Sequence, residues 1–157
     1  MKFLNFILDS QHFGIDLKFV REVIAFPEIS KIPSSSKDFL GVTNLRGQII
    51  PIYDLRIKFE IEPTLTYDTA VIICELQQHP VGIVVDVINN VVAPKDEDIS
   101  ELPLSDDAAT DAVSPVSHIV KHERQIVVLV NMSKIISSLA KDISKIKEVM
   151  SSFKDAA

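Results

Sequence analysis

Leu40-Gly41-Val42-Thr43-Asn44-Leu45-Arg46-Gly47-Gln48-Ile49-Ile50-Pro51-Ile52-Tyr53-Asp54-Leu55-Arg56 carries more structural information than any other stretch of this chain. Its two strand segments, Leu40–Leu45 and Gln48–Tyr53, have only Arg46 and Gly47 between them. Glycine reaches backbone angles that other residues avoid, so Gly47 marks a tight turn between two strands. A turn there places Arg46 at the end of a sheet or barrel rather than in a core.

Outward from this hairpin, most of the chain reads as β. Phe3–Leu8 and Phe13–Leu17 flank a connection at Asp9-Ser10-Gln11-His12, and Val20–Phe26 and Glu28–Ile32 each end at a proline. Leu55–Phe59 alternates and reads as a further short strand, and Tyr67–Leu76 and Val81–Val92 are long apolar runs. Glu97–Thr110 is acidic and rich in small residues, so it reads as a loop with at most one helical turn. Val113–Val120 and Gln125–Val130 are the last strands. Many short strands at this spacing predict an all-β barrel or sandwich.

The two halves repeat each other. Phe13-Gly14-Ile15-Asp16-Leu17 is echoed by Val81-Gly82-Ile83-Val84-Val85, and Val20, Val23 and Ile24 by Ile88, Val91 and Val92 at the same offset. Gln48-Ile49-Ile50-Pro51-Ile52 is echoed by Gln125-Ile126-Val127-Val128-Leu129. Glycine inside a strand marks a bulge or a close backbone approach, so the matched Gly14 and Gly82 predict two similar small barrels. The expected halves are residues 1–62 and 66–130, with the N-terminal strand able to cross between them. The tail differs. Met132, Ile136, Leu139, Ile143, Ile146, Met150 and Phe153 recur in steps of 4 and 3, which predicts a helix over 132–153, capped by Asn131 or Ser133. Such a stripe fits either internal docking or a partner-facing coiled coil.

Composition narrows the function. The net charge of −6 argues against a protein that grips a phosphate backbone. The only glycines, Gly14, Gly41, Gly47 and Gly82, lie too far apart for a phosphate-binding loop. Acidic residues cluster only in loops, so a paired-carboxylate acid/base site has no support. The single cysteine, Cys74, sits in an apolar run, as a buried hydrophobe would, and suits a reducing compartment. His118 and His122 are four apart but lie in a strand run with no third ligand in place, so they read as partly exposed strand histidines rather than metal ligands. No apolar stretch reaches the ~18–20 residues of a membrane helix. A cytoplasmic, non-enzymatic protein without cofactor or metal is expected.

The segment Leu40–Arg56 resembles the G-V-x-N-L-R-G-x-I-x-P-x-x-D-L-R signature of the CheW family of chemotaxis coupling proteins. Phe13-Gly14-Ile15-Asp16 with Val20 and Glu22, and Val81-Gly82-Ile83-Val84-Val85-Asp86, resemble two other family segments, and the match runs from about Phe3 to Ile136. The resemblance implies two five-stranded, SH3-like barrels followed by a C-terminal helix. It implies an adaptor that binds chemoreceptor cytoplasmic tips and the regulatory domain of the histidine kinase CheA, recruited from the cytoplasm to receptor arrays. It implies receptor contacts at Val20, Glu22, Gly41 and Arg46, and kinase contacts at Thr69, Ala70 and Val71. A CheV-type coupling domain and a scaffold of a non-motility chemosensory pathway carry the same signature. Two departures stand out. No glycine precedes the last strand near His118–Glu123, so a longer or differently turned loop is expected there. The terminal helix is also longer and more heptad-like than the family's pattern.

Overall fold

The structure is a computed structural model that describes residues 1–33, 36–102 and 115–135. Its strands are β1 (Phe3–Leu8), β2 (Gln11–Asp16), β3 (Val20–Ala25), β4 (Phe39–Leu45), β5 (Gln48–Asp54), β6 (Ala70–Leu76), β7 (His79–Val85), β8 (Val87–Val92), β9 (Ile99–Glu101), β10 (Val116–His122) and β11 (Gln125–Val130). One short helix, α1 (Leu55–Lys58), follows β5. The strands form two sheets, in the orders β8-β1-β2-β11-β10-β9 and β3-β6-β7-β5-β4.

Neither sheet coincides with a half of the chain, which corrects the division at residues 62 and 66. Strands β3 to β7, residues 20–85, make one sheet without interruption, and this unit is inserted between β2 and β8 of the other. The whole N-terminal hairpin, not one strand, joins the second-half strands. Among the described residues the chain crosses between the sheets twice, through the 3-10 turn Leu17–Phe19 and through Asp86.

The repeat holds at the level of strands. β2 and β7 occupy matching places, each antiparallel to the preceding strand and parallel to β11 or β5 respectively. Gly14 lies beside Asn5 and Leu129, and Gly82 beside Ile73 and Ile52. A Cβ on Gly14 would stand 2.6 Å from Phe3 and 2.7 Å from Leu129; one on Gly82 would stand 2.4 Å from Ile52 and 2.9 Å from Val71. Each glycine therefore lets a neighbouring side chain fill the inside of its own curled sheet.

Strand periodicity explains why both faces of the central strands are apolar. Phe3, Val92, Val120, Val127 and Leu129 fill one interior, and Ile50, Ile52, Val71, Ile73 and Val84 fill the other. The alternate residues form a third cluster in the seam between the sheets. Leu4, Phe6, Leu8, Phe13, Ile15 and Val130 come from one side, and Tyr53, Ala70, Ile72, Cys74, Val81, Ile83 and Val85 from the other. Phe6, Phe13 and Phe59 stack in series there, with ring centroids 5.9 and 5.4 Å apart.

Four hairpins close with two residues at positive φ, as in type I′ turns: Asp9-Ser10, Arg46-Gly47, Gln77-Gln78 and Glu123-Arg124. The loop near His118–Glu123, expected to be longer or differently turned, is thus the same length and turn as Arg46-Gly47, with Arg124 at φ 81 where Gly47 has φ 83. A side chain in this region is disfavoured by roughly 1–2 kcal/mol. Arg124→Gly is accordingly expected to raise the unfolding free energy by about 1 kcal/mol, read from urea denaturation; no gain would mean that the arginine's own contacts offset the strain.

Three further expectations change. Glu28–Ile32 makes a single bridge, Ser30 to Val42, rather than a strand. Leu55–Phe59 is helical, because the Asp54 carboxylate accepts the Arg56 backbone N–H at 3.0 Å and caps the turn. Residues read as loop after Glu97 include β9, paired with β10. Of the terminal helix, the turn at 132–135 is present, capped by Asn131, whose Oδ1 accepts from the Lys134 N–H at 3.2 Å. Met132 and Ile135 are buried in the seam. The rest of the heptad stripe lies outside the described residues.

Candidate functional site

β3 and β4 are the two edges of one sheet, yet the side chains beside them meet. Arg46, at the β4–β5 turn, donates to the Glu22 carboxylate on β3, and Arg21 Nη1 donates to Gln48 Oε1 at 3.0 Å. Ser30 and Val42 exchange backbone hydrogen bonds of 2.8 and 2.9 Å, and Thr43 Oγ1 donates to the Glu28 carbonyl at 2.9 Å. The sheet therefore curls until its edges close. The closing end is held by exposed polar groups: the Arg46 side chain is 65% exposed, that of Glu22 25%. An exposed pair of this kind contributes about 0–1 kcal/mol to stability. Its guanidinium, with five donors in a rigid fork, remains able to take a second carboxylate.

Apolar residues flank this end. Val23 follows Glu22 and Ile49 follows Gln48, and both are exposed. Their repeat equivalents on the other sheet, Val91 and Ile126, are exposed as well. The repeat thus extends to the surface, with a matched apolar pair on each barrel.

The other residues named from the sequence sit differently. Val20 is half-buried and packs against the seam. Gly41 is buried, at φ +143, and a Cβ there would lie 2.2 Å from the Ser30 carbonyl oxygen. Thr69, Ala70 and Val71 are buried too. Thr69 Oγ1 accepts the Thr66 N–H at 2.9 Å, Ala70 faces the seam, and Val71 fills a barrel interior. An arginine at position 70 would enter the core between the barrels, so Ala70→Arg tests folding rather than contact. The exposed apolar residues next to this strand are Leu65 and Tyr67, which border a shallow pocket with Ala25, Phe26 and Thr69.

A buried ion network was not foreseen, since Leu55-Arg56 read as strand. The Arg56 fork holds Asp54 through two bonds, Nε to Oδ1 at 3.0 Å and Nη2 to Oδ2 at 2.9 Å. Its Nη1 donates to Asp86 Oδ1 at 2.9 Å and to the Thr64 carbonyl. Burial disfavours the charged guanidinium, but the hydrogen bonds and charges of Asp54 and Asp86 outweigh it and raise its pKa. The signal available in the sequence was the Asp54-x-Arg56 spacing, which suits a cap and a fork on one short turn.

Chemistry is sparse elsewhere. Burial pushes the Cys74 thiol up to about 12, so it stays protonated and unreactive at neutral pH. His118 and His122 lie on β10, each nearly 4 Å from a glutamate, Glu101 at 3.9 Å and Glu123 at 3.8 Å. Among the described residues no three His, Cys, Asp or Glu side chains are placed to hold a metal, and no helix is long and apolar enough to cross a membrane.

Two sheets sharing one apolar seam, one of them closed at its edges by polar side chains, define a two-barrel, all-β fold. The model of the CheW-like domain matches residues 2–140. The chemotaxis protein CheW of Klebsiella aerogenes is 35% identical over 139 residues, covering 87% of this chain and 82% of that one. CheW of Bacillus subtilis is 25% identical over 136 residues, covering 86% of each. A solved structure, the scaffolding protein TtCheW from Thermoanaerobacter tengcongensis, superposes with a TM-score of 0.74 at 29% identity, covering 82% of this chain and 87% of that one. The chain belongs to the CheW family of chemotaxis adaptors, and its two sheets are the family's two SH3-like barrels.

Proposed function

We propose that the chain joins a chemoreceptor cytoplasmic tip to the regulatory domain of the kinase CheA at receptor arrays, by binding both and catalysing nothing. The observation that supports this best is the family signature itself. It folds as the β4–β5 hairpin, whose tip presents an exposed Arg46 paired with Glu22, with the exposed Val23 and Ile49 next in sequence to Glu22 and Gln48. By the family resemblance a receptor tip is a helical hairpin, and an arginine fork beside aliphatic side chains suits a helix that carries a carboxylate next to its apolar face. Val20 and Gly41 support this surface from beneath. On the kinase side, Thr69, Ala70 and Val71 hold the base of the segment that exposes Leu65 and Tyr67, and the contact is made by those exposed residues.

Because the Arg46–Glu22 pair contributes little to stability, Arg46→Ala is expected to melt within a few degrees of the parent protein. It is expected to lose most receptor-controlled kinase activity in reconstituted arrays. Normal kinase control by a folded Arg46→Ala protein would remove Arg46 from the site. A collapsed melting temperature would make it a structural residue.

A further inference from the structure

Among the described residues two crossings join the barrels, and one of them is locked. At Asp86 the chain leaves β7 and enters β8 with a single residue between the sheets. Its Oδ1 takes the Arg56 Nη1 at 2.9 Å, and Arg56 is anchored to Asp54 at the end of β5, all in the inserted barrel. Its Oδ2 accepts the Asp9 backbone N–H at 2.8 Å, in the β1–β2 turn of the other barrel, and its own N–H donates to the Ile7 carbonyl at 3.2 Å. One carboxylate therefore holds both barrels at once. The other crossing, Leu17–Phe19, is held by local bonds: the Leu17 N–H donates to the Lys2 carbonyl at 2.9 Å and the Lys18 N–H to Asp16 Oδ1 at 3.1 Å, beside the exposed Lys18–Asp16 pair at 3.7 Å, and Leu17 and Phe19 pack on the apolar seam. In the repeat, Asp54 corresponds to Asn131 and Arg56 to Ser133, so the matching positions of the second barrel carry no charge pair.

The seam between the barrels is apolar. Apolar attraction is non-directional and holds surfaces together without fixing their angle. Charge-assisted hydrogen bonds, above all those of a guanidinium fork, are directional. We infer that Asp86, held by Arg56, is a positioning residue that sets the angle between the barrels and so couples the partners bound to each. The coupling half rests on the proposed function; the angular half does not.

Asp86→Asn keeps an acceptor for the Asp9 N–H and removes the charge that faces Arg56. Arg56→Lys keeps a charge beside Asp54 and removes the fork. Spin labels at Ile49→Cys and Ile126→Cys, exposed positions on the two barrels, report the angle by pulsed electron resonance, with buried Cys74 left unlabelled. A narrow distance distribution is expected for the parent and a shifted or broadened one for either variant below its melting temperature. An unchanged distribution in folded variants overturns the inference. So does failure of both variants to fold, because the network would then hold the fold and not its angle. Unlabelled Asp86→Asn is expected to bind a receptor fragment and the kinase regulatory domain singly as the parent does, and to lose the effect of one on the other. Retained coupling with an altered angle overturns the coupling half. If the parent binds neither partner, the proposed function fails while the distance measurement still decides the angle.

Discussion

Arg56→Ala is expected to lower the unfolding free energy by about 3–5 kcal/mol, the usual cost of stripping one partner from a buried ion pair. Asp54 is 2% exposed, and without the guanidinium it would keep a buried charge whose remaining donor is the Arg56 backbone N–H. Asp86 and the Thr64 carbonyl would lose a donor in the same step. The small turn α1 would remain capped, so the loss would fall on the seam and on residues 60–69 rather than on the β4–β5 hairpin. Native-state hydrogen exchange would show this as early opening around β6 to β8. A loss below about 1 kcal/mol, typical of exposed pairs, would mean that water replaces the arginine and that the network is not dry.

Gly41→Ala is expected to destabilise by at least about 2 kcal/mol, from two separate sources. A positive φ for a side-chain-bearing residue stores roughly 1–3 kcal/mol of strain, and overpacking a filled site costs a similar amount. Here the obstacle is a backbone carbonyl, that of Ser30, so no side-chain rotation relieves the clash. The bridge between Ser30 and Val42 would break, opening the closure that supports Arg46. Thermal unfolding and receptor binding measured together should therefore fall together. Full stability with lost binding would return Gly41 to the contact surface that the family resemblance implies.

The turn chemistry, the repeat and the barrel class were legible because each rests on local pattern. Gly47 marks its turn, Gly14 and Gly82 mark matching close approaches, and alternation marks the strands. What was hidden depends on pairing between distant segments. Nothing near Phe3–Leu8 says that β1 pairs with β8, 80 to 89 residues away, so the sequence reads as two successive halves rather than as nested barrels. Leu55–Phe59 alternates like a strand, and only the Asp54 cap and the Arg56 fork turn it into a helix. Thr69, Ala70 and Val71 carry no mark that separates an interface strand from a core strand. Ala70 and Val71 are buried because β6 turns one face to the seam and the other to a barrel interior, and Thr69 because it folds back onto Thr64 and Thr66. The place of Arg46 at the hairpin tip was legible because the same glycine that makes the turn also puts its neighbour there.

The most direct test is a single titration in which the purified chain, a chemoreceptor cytoplasmic fragment and the CheA regulatory domain are mixed and the mass of the complexes is measured by analytical ultracentrifugation. An adaptor is expected to give a ternary species holding all three, absent when the chain is left out. Two binary complexes that exclude each other, or no complex at all, would contradict it.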